Sequence, residues 1–183
     1  MKKSKKLISL VVAAVMALGI VMAPMAAVAK DSPTIGKLNI GVFKITSVKG
    51  KTIRLVGTTS KGKKAKSITI VSKYKLDKRY YKVFRTDNYT VTRICKNAFK
   101  GTKAAKVILP ATVKKIDAGA FKGAKAKTIV IKAKISPAAA KGMLTGSKVK
   151  SVTIKVPSSK VKAWKAKAAV KGYFGKGIKV TIK

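Results

Sequence analysis

The side chains that enzymes use most often for acid, base and metal chemistry are nearly absent from this sequence. It holds no His, no Glu and no Gln among its 183 residues. General acid/base catalysis depends mainly on His and carboxylates, and transition-metal sites depend on clusters of His and Cys. We therefore predict a protein that is not an enzyme and that binds no metal or cofactor. The side chains left for such chemistry are Asp31, Asp77, Asp87, Asp117 and Cys95.

Serine and lysine could still pair as a nucleophile and its base. The S-x-x-K pattern of acylating enzymes begins at Ser60, Ser72, Ser147 and Ser159. With 12 Ser and 40 Lys in the chain, chance alone gives about 2.6 matches, so we assign no catalytic site. Cys95 has no second cysteine to pair with and follows Ile94 in a strand-like run, which predicts a small buried apolar side chain.

The first 29 residues have the organisation of a secretory signal peptide. A basic start over residues 1–6 is followed by an apolar run over 7–22 and by the small residues Ala27-Val28-Ala29. This order predicts cleavage before Lys30 and therefore secretion, with no transmembrane span after cleavage. A retained membrane anchor is the alternative, because residues 7–29 could just span a bilayer.

A repeat of 22 residues is the most informative feature of the chain. The sequence Ala-Phe-Lys-Gly at 98–101 returns at 120–123, and the pair Val107 and Leu109 returns as an isoleucine pair. A period of roughly 20–29 residues with one short apolar strand per unit is the signature of a leucine-rich solenoid. The apolar pairs are Ile68 and Ile70 in a leading unit, Val107 and Leu109 in the first, Ile129 and Ile131 in the second, and Val152 and Ile154 in the third. The third pair follows the second by 23 positions instead of 22.

The spacing assigns a role to each repeated residue type. Side chains two apart share one face of a strand, so the apolar pairs should point into the core. Phe99 and Phe121 should fill the space between units. Gly101, Gly123 and Gly146 should take positive φ angles where the chain turns.

Residues 94–101, 107–110 and 113–123 resemble the BspA-like leucine-rich repeat, with its AF-x-G and LP-x-x-V-x-x-I pattern. The resemblance covers residues 67–156 and implies a mainly β fold, a short leucine-rich-repeat solenoid. It also implies a non-enzymatic, secreted or cell-surface bacterial protein, of a family associated with adhesion and with binding of a host or partner protein. Two features depart from the pattern: Met143-Leu144 replaces Ala-Phe in the third copy, and an insertion over 73–88 separates the leading unit from the first.

The N-terminal flank, residues 30–66, is predicted to form a β-hairpin cap on the solenoid. Apolar residues on either side of a Lys49-Gly50 turn mark its two strands. Residues 57–66 are rich in Thr, Ser, Gly and Lys and read as a loop.

The C-terminal flank, residues 157–183, is predicted to form a cap of one helix and one strand. We expect Ser158 or Ser159 to cap the helix and Gly172 to end it. Trp164 should pack against the last repeat rather than stay exposed.

Lysine dominates the charge of the chain, which has 44 Lys and Arg against 4 acidic residues and a formal net charge of +40. Internal ion pairs can neutralise few of these groups, so we expect an anionic partner outside the chain. Lys100 and Lys103 recur as Lys122 and Lys125, which should form ladders of like charge on adjacent units. The alternative is that lysine only keeps the surface soluble, although both signs of charge normally serve that purpose.

A cationic face outside the cell suits an anionic cell-wall polymer or an acidic glycan, because counterion release strengthens such binding. Anionic lipid head groups and free DNA are further candidates. Specific nucleic-acid recognition is disfavoured, because Lys outnumbers Arg 40 to 4 and base recognition favours Arg. The second hypothesis is a cationic effector that acts on anionic membranes or nucleic acid, based on the charge and on a Lys-rich helix over 160–171.

The insertion is another candidate for recognition. Residues 73–89 combine five aromatic side chains with Lys and Arg, and loops on a rigid array often carry binding. The alternative is a β-hairpin whose aromatic side chains pack on the sheet. The candidate binding residues are Lys100, Lys103, Lys122 and Lys125 of the ladders and Tyr80, Tyr81, Arg85 and Tyr89 of the insertion.

Overall fold

The computed structural model of the protein describes residues 34–48, 51–75 and 88–183. The predicted signal peptide and the centre of the insertion lie outside these residues. The described chain forms two β-sheets, joined by turns and short helices. The elements are β1 (Thr34–Ile40), β2 (Phe43–Val48), β3 (Thr52–Thr58), α1 (Ser60–Lys64), β4 (Ser67–Thr69), β5 (Lys73–Lys75), β6 (Asn88–Ile94), β7 (Lys106–Leu109), β8 (Lys115–Ile116), β9 (Thr128–Ile131), a 3-10 helix (Pro137–Ala140), β10 (Ser151–Lys155), α2 (Ser158–Ala168) and β11 (Lys179–Ile182).

One sheet consists of five parallel strands in the order β4, β7, β9, β10 and β11. Neighbouring strands come from successive repeats, so Ile68 pairs with Val107 and Val107 with Ile129. Alternate side chains along each strand point into the core, as the period of a strand requires. The predicted inward pairs are confirmed, since each member is at most 2% exposed: Ile68, Ile70, Val107, Leu109, Ile129, Ile131, Val152 and Ile154.

The register of the third copy differs from the prediction. A spacing of 23 places Ile154 beside Ile131, but the strands pair Ile154 with Ile129. The preceding turn keeps the predicted spacing, because the Gly123 N–H donates to the Gly146 carbonyl. Ile154 follows Gly146 by eight residues, whereas Ile129 follows Gly123 by six, so two extra residues lie between turn and strand. A shift of two keeps the same side chains on the buried face.

The second sheet runs along the other side of the solenoid in the order β1, β2, β3, β6 and β5, with β8 also paired to β6. Strands β3, β6 and β8 are parallel, and β1, β2 and β3 form an antiparallel meander. The predicted hairpin is confirmed as β2 and β3. Strand β1 was not predicted, because Ile35, Leu38 and Ile40 do not alternate with a period of two; its pairing with β2 is irregular between Thr34 and Gly36.

Each coil of the solenoid combines one segment from each side. The first coil runs from β3 to β4, the second from β6 to β7 and the third from β8 to β9. In the fourth coil the 3-10 helix stands in place of a strand of the second sheet and leads to β10; in the fifth coil α2 stands in that place and leads to β11. The segments predicted as caps therefore extend the stack, because β3 belongs to the first coil and α2 with β11 makes the fifth.

The predicted loop over 57–66 contains helix α1, which the sequence analysis did not anticipate. The Thr59 hydroxyl accepts a hydrogen bond from the Gly62 N–H at 3.3 Å and donates one to the Gly41 carbonyl at 3.0 Å. A Cβ on Gly62 would collide with the Val42 carbonyl oxygen. The absence of a side chain at Gly62 thus lets the helix sit directly on the entry to β2.

Phenylalanine rings connect the second and third coils. Phe99 and Phe121 are fully buried, and their ring centroids stack 4.6 Å apart at an interplanar angle of 19°. The column continues through Leu144, which is 1% exposed, so Met143-Leu144 fills the position of Ala-Phe in the fourth coil. The predicted role of the two phenylalanines in filling the space between units is confirmed.

Helix α2 contributes Trp164 to the core. This residue is fully buried, stacks on Phe174 at 5.1 Å, and its indole Nε1–H donates to the Ile135 carbonyl at 3.2 Å. The predicted packing of Trp164 is confirmed.

The predicted cap residues of the helix are wrong. The helix begins after Pro157, without a side-chain cap, and Ser158 and Ser159 already lie in its first turn. It ends at Ala168, with Ala169 as its C-cap. Gly172 follows three residues later in a separate turn at a φ of 74°.

Replacing Phe121 with Ala should destabilise the whole stack, because it removes a buried ring and leaves Phe99 without its stacking partner. We expect the free energy of unfolding to fall by about 3–5 kcal/mol, measured by urea denaturation. Lys122→Ala, at the exposed neighbouring position, is the control and should change the stability by less than about 0.5 kcal/mol. Equal effects of the two substitutions would contradict the role of the ring column.

Candidate functional site

Three glycines form the floor of a groove along the turns of the second, third and fourth coils. Gly101, Gly123 and Gly146 have φ angles of 69°, 65° and 73°, which confirms their predicted turn conformation. The Gly101 N–H donates to the Lys122 carbonyl at 3.2 Å, and the Gly123 N–H donates to the Gly146 carbonyl at 2.6 Å. A Cβ on Gly123 would lie 3.5 Å from the Gly101 nitrogen, so the turns stack backbone on backbone.

Lysine side chains line both sides of this floor. Lys100 and Lys122 precede the glycines, and Lys103 and Lys125 follow them; all four are exposed. The structure therefore brings the four lysines predicted from the repeat into one concavity of about 500 Å³. We name this surface the lysine groove; its lining residues are Lys100, Gly101, Lys103, Lys122, Gly123, Lys125, Gly146 and Lys148.

Lys148 is a groove residue that the sequence analysis missed. It follows Lys125 by 23 positions, the same spacing that relates Gly146 to Gly123. The position of Lys148 could therefore have been predicted from this spacing. The fourth coil thus adds a third lysine to the row of Lys103 and Lys125.

Backbone hydrogen bonds hold the second lysine row in place. The N–H groups of Lys103, Lys125 and Lys148 donate to carbonyls of the preceding coil at 2.9, 3.0 and 3.1 Å. In the first row, the Lys122 stem lies against Gly146, because a Cβ there would come within 3.2 Å of the Lys122 Cγ. The aliphatic stem thus contacts one side of Gly146, and both residues remain exposed.

The charges of the lysine groove have no counterion within it. Among the described residues that line it, none carries a carboxylate. Asp117, the one acidic side chain in the described ranges, lies in the third coil and accepts from Arg93 Nε at 2.9 and 3.2 Å. Neighbouring coils are spaced by about 4.8 Å, so the lysines form a dense row of positive charge open to solvent.

The insertion residues do not join the groove in the part of the chain that the structure describes. Tyr80, Tyr81 and Arg85 lie outside the described residues. Tyr89 is 2% exposed and belongs to the core, which corrects the prediction of an exposed binding side chain. At the base of the insertion β5 pairs antiparallel with β6, with Tyr74 opposite Tyr89, as expected for the hairpin alternative.

Cys95 is half-buried, so its side chain is less buried than the sequence predicted. Burial raises the pKa of its thiol, and the Asp117 carboxylate raises it further, against the opposing effects of Arg93 and Arg54. The thiol is therefore protonated near neutral pH, in keeping with a packing role.

Within residues 34–48, 51–75 and 88–183, no three His, Cys, Asp or Glu side chains come together as metal ligands would. None of the helices in these ranges has the length and apolar character needed to cross a bilayer.

Three solved structures of bacterial proteins are similar to this chain. A leucine-rich repeat protein from Bacteroides capillosus ATCC 29799 has 17% identity and a TM-score of 0.51, over 80% of this chain and 98% of its own. The pneumococcal vaccine antigen PcpA and a leucine rich cell surface protein from Faecalibacterium prausnitzii A2-165 each have 17% identity and a TM-score of 0.47. They cover 80% and 85% of this chain, and 38% and 44% of their own chains. The first of these likenesses shows a leucine-rich-repeat solenoid.

The family follows from the sequence model for the BspA type leucine rich repeat region, which matches residues 64–167 in six copies. Because this match spans more than half of the 183 residues, the chain belongs to the BspA-type leucine-rich-repeat family. The predicted family and solenoid fold are confirmed. Among curated proteins, the comparison gave no match.

The stability of the base of the insertion should depend on pH through Tyr74. Burial raises the pKa of this phenol from 10.0 to about 12, although a backbone hydrogen bond at Val71 opposes the rise. The folded protein then holds the proton more tightly than the unfolded chain, so stability is lost as pH rises from about 10 towards 12.

Tyr74→Phe removes this titration and serves as the reference protein. We expect the free energy of unfolding of the wild type to fall relative to that of the variant between pH 10 and 12, measured by urea denaturation. Below pH 9 the difference between the two proteins should stay constant. A constant difference up to pH 12 would contradict the buried state of the phenol.

Proposed function

We propose that the protein is a non-enzymatic binding protein of the cell surface or the extracellular space, and that its lysine groove holds a linear polyanion. The observation that carries this proposal is the convergence of five lysines from three coils on one concavity without a carboxylate. An anionic cell-wall polymer or an acidic glycan fits, because each presents negative groups at regular intervals along an extended chain. Secretion rests on the predicted signal peptide, and a surface role is in keeping with the family.

The direction of the groove favours a linear ligand. Its two lysine rows run along the solenoid axis, one coil after the next, so an extended polymer can meet several ammonium groups at once. The glycine floor has no side chains, which lets a polymer backbone approach closely. Each contact releases condensed counterions, so the affinity rises with the number of lysines engaged and falls with salt.

Nucleic acid fits the groove less well than a cell-wall polymer or glycan. No aromatic side chain is among its described lining residues, and single-stranded nucleic acid is normally bound by base stacking on such rings. Lysine also supplies only point charges, without the planar fork with which Arg recognises bases.

Removing the second lysine row tests the proposal. Lys103, Lys125 and Lys148 are replaced by Ser, and binding to heparin and to poly(glycerol phosphate) is measured over a range of salt concentrations. We expect the slope of log affinity against log salt to fall by about 2, since each lysine contributes roughly 0.7–0.9.

A matched control carries Ser at Lys132, Lys155 and Lys179, which are exposed and lie outside the groove. It loses the same net charge and should retain most of the wild-type slope. Equal losses in the two triple variants would mean that only total charge matters and would overturn the groove. Elution of the wild type from heparin below physiological salt would overturn polyanion binding itself.

A membrane-disrupting activity is the rival function, and the packing of helix α2 disfavours it. Trp164 is fully buried, and Val161 and Ala168 pack partly buried against the core. The apolar side of the helix is therefore occupied within the protein. We expect micromolar protein to release no dye from anionic vesicles, with detergent lysis as the positive control; dye release would support the rival.

A further inference from the structure

A second concavity, of about 400 Å³, lies on the other flank of the turns. Lys96 reaches it from the second coil, Lys115 and Asp117 from the third, and Lys141 from the fourth. None of its lining residues belongs to the lysine groove. We name it the second pocket.

Its polar wall is the ion pair between Arg93 and Asp117. Arg93 Nε donates to both carboxylate oxygens, at 2.9 and 3.2 Å, and the two side chains are only 24% and 17% exposed. The pair is thus held in a fixed position at the pocket wall. A carboxylate oxygen with one bound donor keeps a further lone pair, so Asp117 can also accept a hydrogen bond from a ligand hydroxyl.

Three exposed lysines supply the positive charge of the pocket. Lys96, Lys115 and Lys141 can each donate to an anion, while Asp117 is already neutralised by Arg93. The Lys141 Nζ lies 6.0 Å from the centroid of the Tyr173 ring, a cation–π contact that restrains this lysine. The pocket therefore offers a net positive charge and one hydrogen-bond acceptor side by side.

The floor consists of small apolar side chains. Ala118 comes from the third coil, and Ala138 and Ala139 come from the 3-10 helix of the fourth. Gly142 has a φ of 69°, and a Cβ there would lie 3.2 Å from the Ala118 Cβ, so the floor is closely packed. Alanines leave a shallow surface on which the C–H face of a sugar ring can lie.

We propose that this pocket binds an acidic monosaccharide unit, a pyranose ring that carries a carboxylate. The carboxylate sits among the lysines, a ring hydroxyl donates to Asp117, and the apolar ring face lies on the alanines. A small anion such as acetate would contact only the lysines, and a neutral sugar would contact only the Asp117 acceptor and the alanine floor.

The test compares a whole ligand with its parts. Binding of methyl glucuronide, methyl glucoside and acetate to the full chain is measured by saturation-transfer NMR and calorimetry. We expect the glucuronide to bind at least about tenfold more tightly than either part, because loss of one hydrogen bond to a charged group costs roughly that factor. Equal affinity for acetate and glucuronide, or no saturable binding of the glucuronide, would overturn the proposal.

Three variants locate the site. Replacing Lys96, Lys115 and Lys141 with Ser should weaken glucuronide binding at least about tenfold. Ala138→Leu should do the same without a change of charge, because the larger side chain covers the floor. Asp117→Asn should reduce the preference for glucuronide over acetate. In a site that recognises only negative charge, the same substitution would raise the affinity for both ligands, because it removes a carboxylate.

The controls separate this pocket from the lysine groove and from the fold. The Ser variant of Lys103, Lys125 and Lys148 should bind glucuronide like the wild type, and Ala138→Leu should keep wild-type retention on heparin. Thermal unfolding checks each variant. If Ala138→Leu lowers the unfolding temperature, the test depends on the triple Ser variant of Lys96, Lys115 and Lys141, which are all exposed. Wild-type affinity for glucuronide in that variant would overturn the proposal.

Discussion

Each coil is held to the next by backbone hydrogen bonds and by apolar side chains that stack along the axis, and every other feature of the molecule depends on this contact. Strands pair at both sides of the coil, and at the turns the Phe99, Phe121 and Leu144 N–H groups each donate to the next coil at 2.8–3.1 Å. The stacked rings of Phe99 and Phe121 fill the space between the paired turns. A single coil could not bury these side chains by itself, because they are covered only when a neighbouring coil stacks on them.

The same stacking brings like charges together. Two ammonium groups about 4.8 Å apart in water repel by about 0.9 kcal/mol, and salt reduces this further. Burial of one phenylalanine contributes about 1.5–3 kcal/mol, so the column outweighs the repulsion of the lysines beside it. The fold can therefore carry rows of uncompensated lysine on its surface, and these rows gain stability when an anion binds.

The turns have two chemically different flanks. On the side that leads into the five parallel strands, glycines and lysines form an open groove along the axis whose polar side chains are all lysines. On the side that follows the strands of the second sheet, the Arg93–Asp117 pair and three alanines add an acceptor and an apolar floor to the charge. One row of turns thus presents an open row of lysines on one flank and a pocket with charge, an acceptor and an apolar floor on the other. The ligands proposed for the two flanks occur together in an anionic polysaccharide.

The 22-residue repeat alone determined much of this protein: the solenoid, the inward apolar pairs, the ring column, the turn glycines and four of the five groove lysines. It could do so because these features depend on residues at equal positions in successive coils, and a fixed spacing is visible in a sequence. Lys148 followed the same rule and could have been included. The tertiary structure decided what has no fixed spacing: the two-residue shift of β10, the addition of β1, and the burial of Tyr89. It also decided the second pocket, because Arg93, Asp117 and Lys141 occupy different positions in different coils and line one concavity only through stacking.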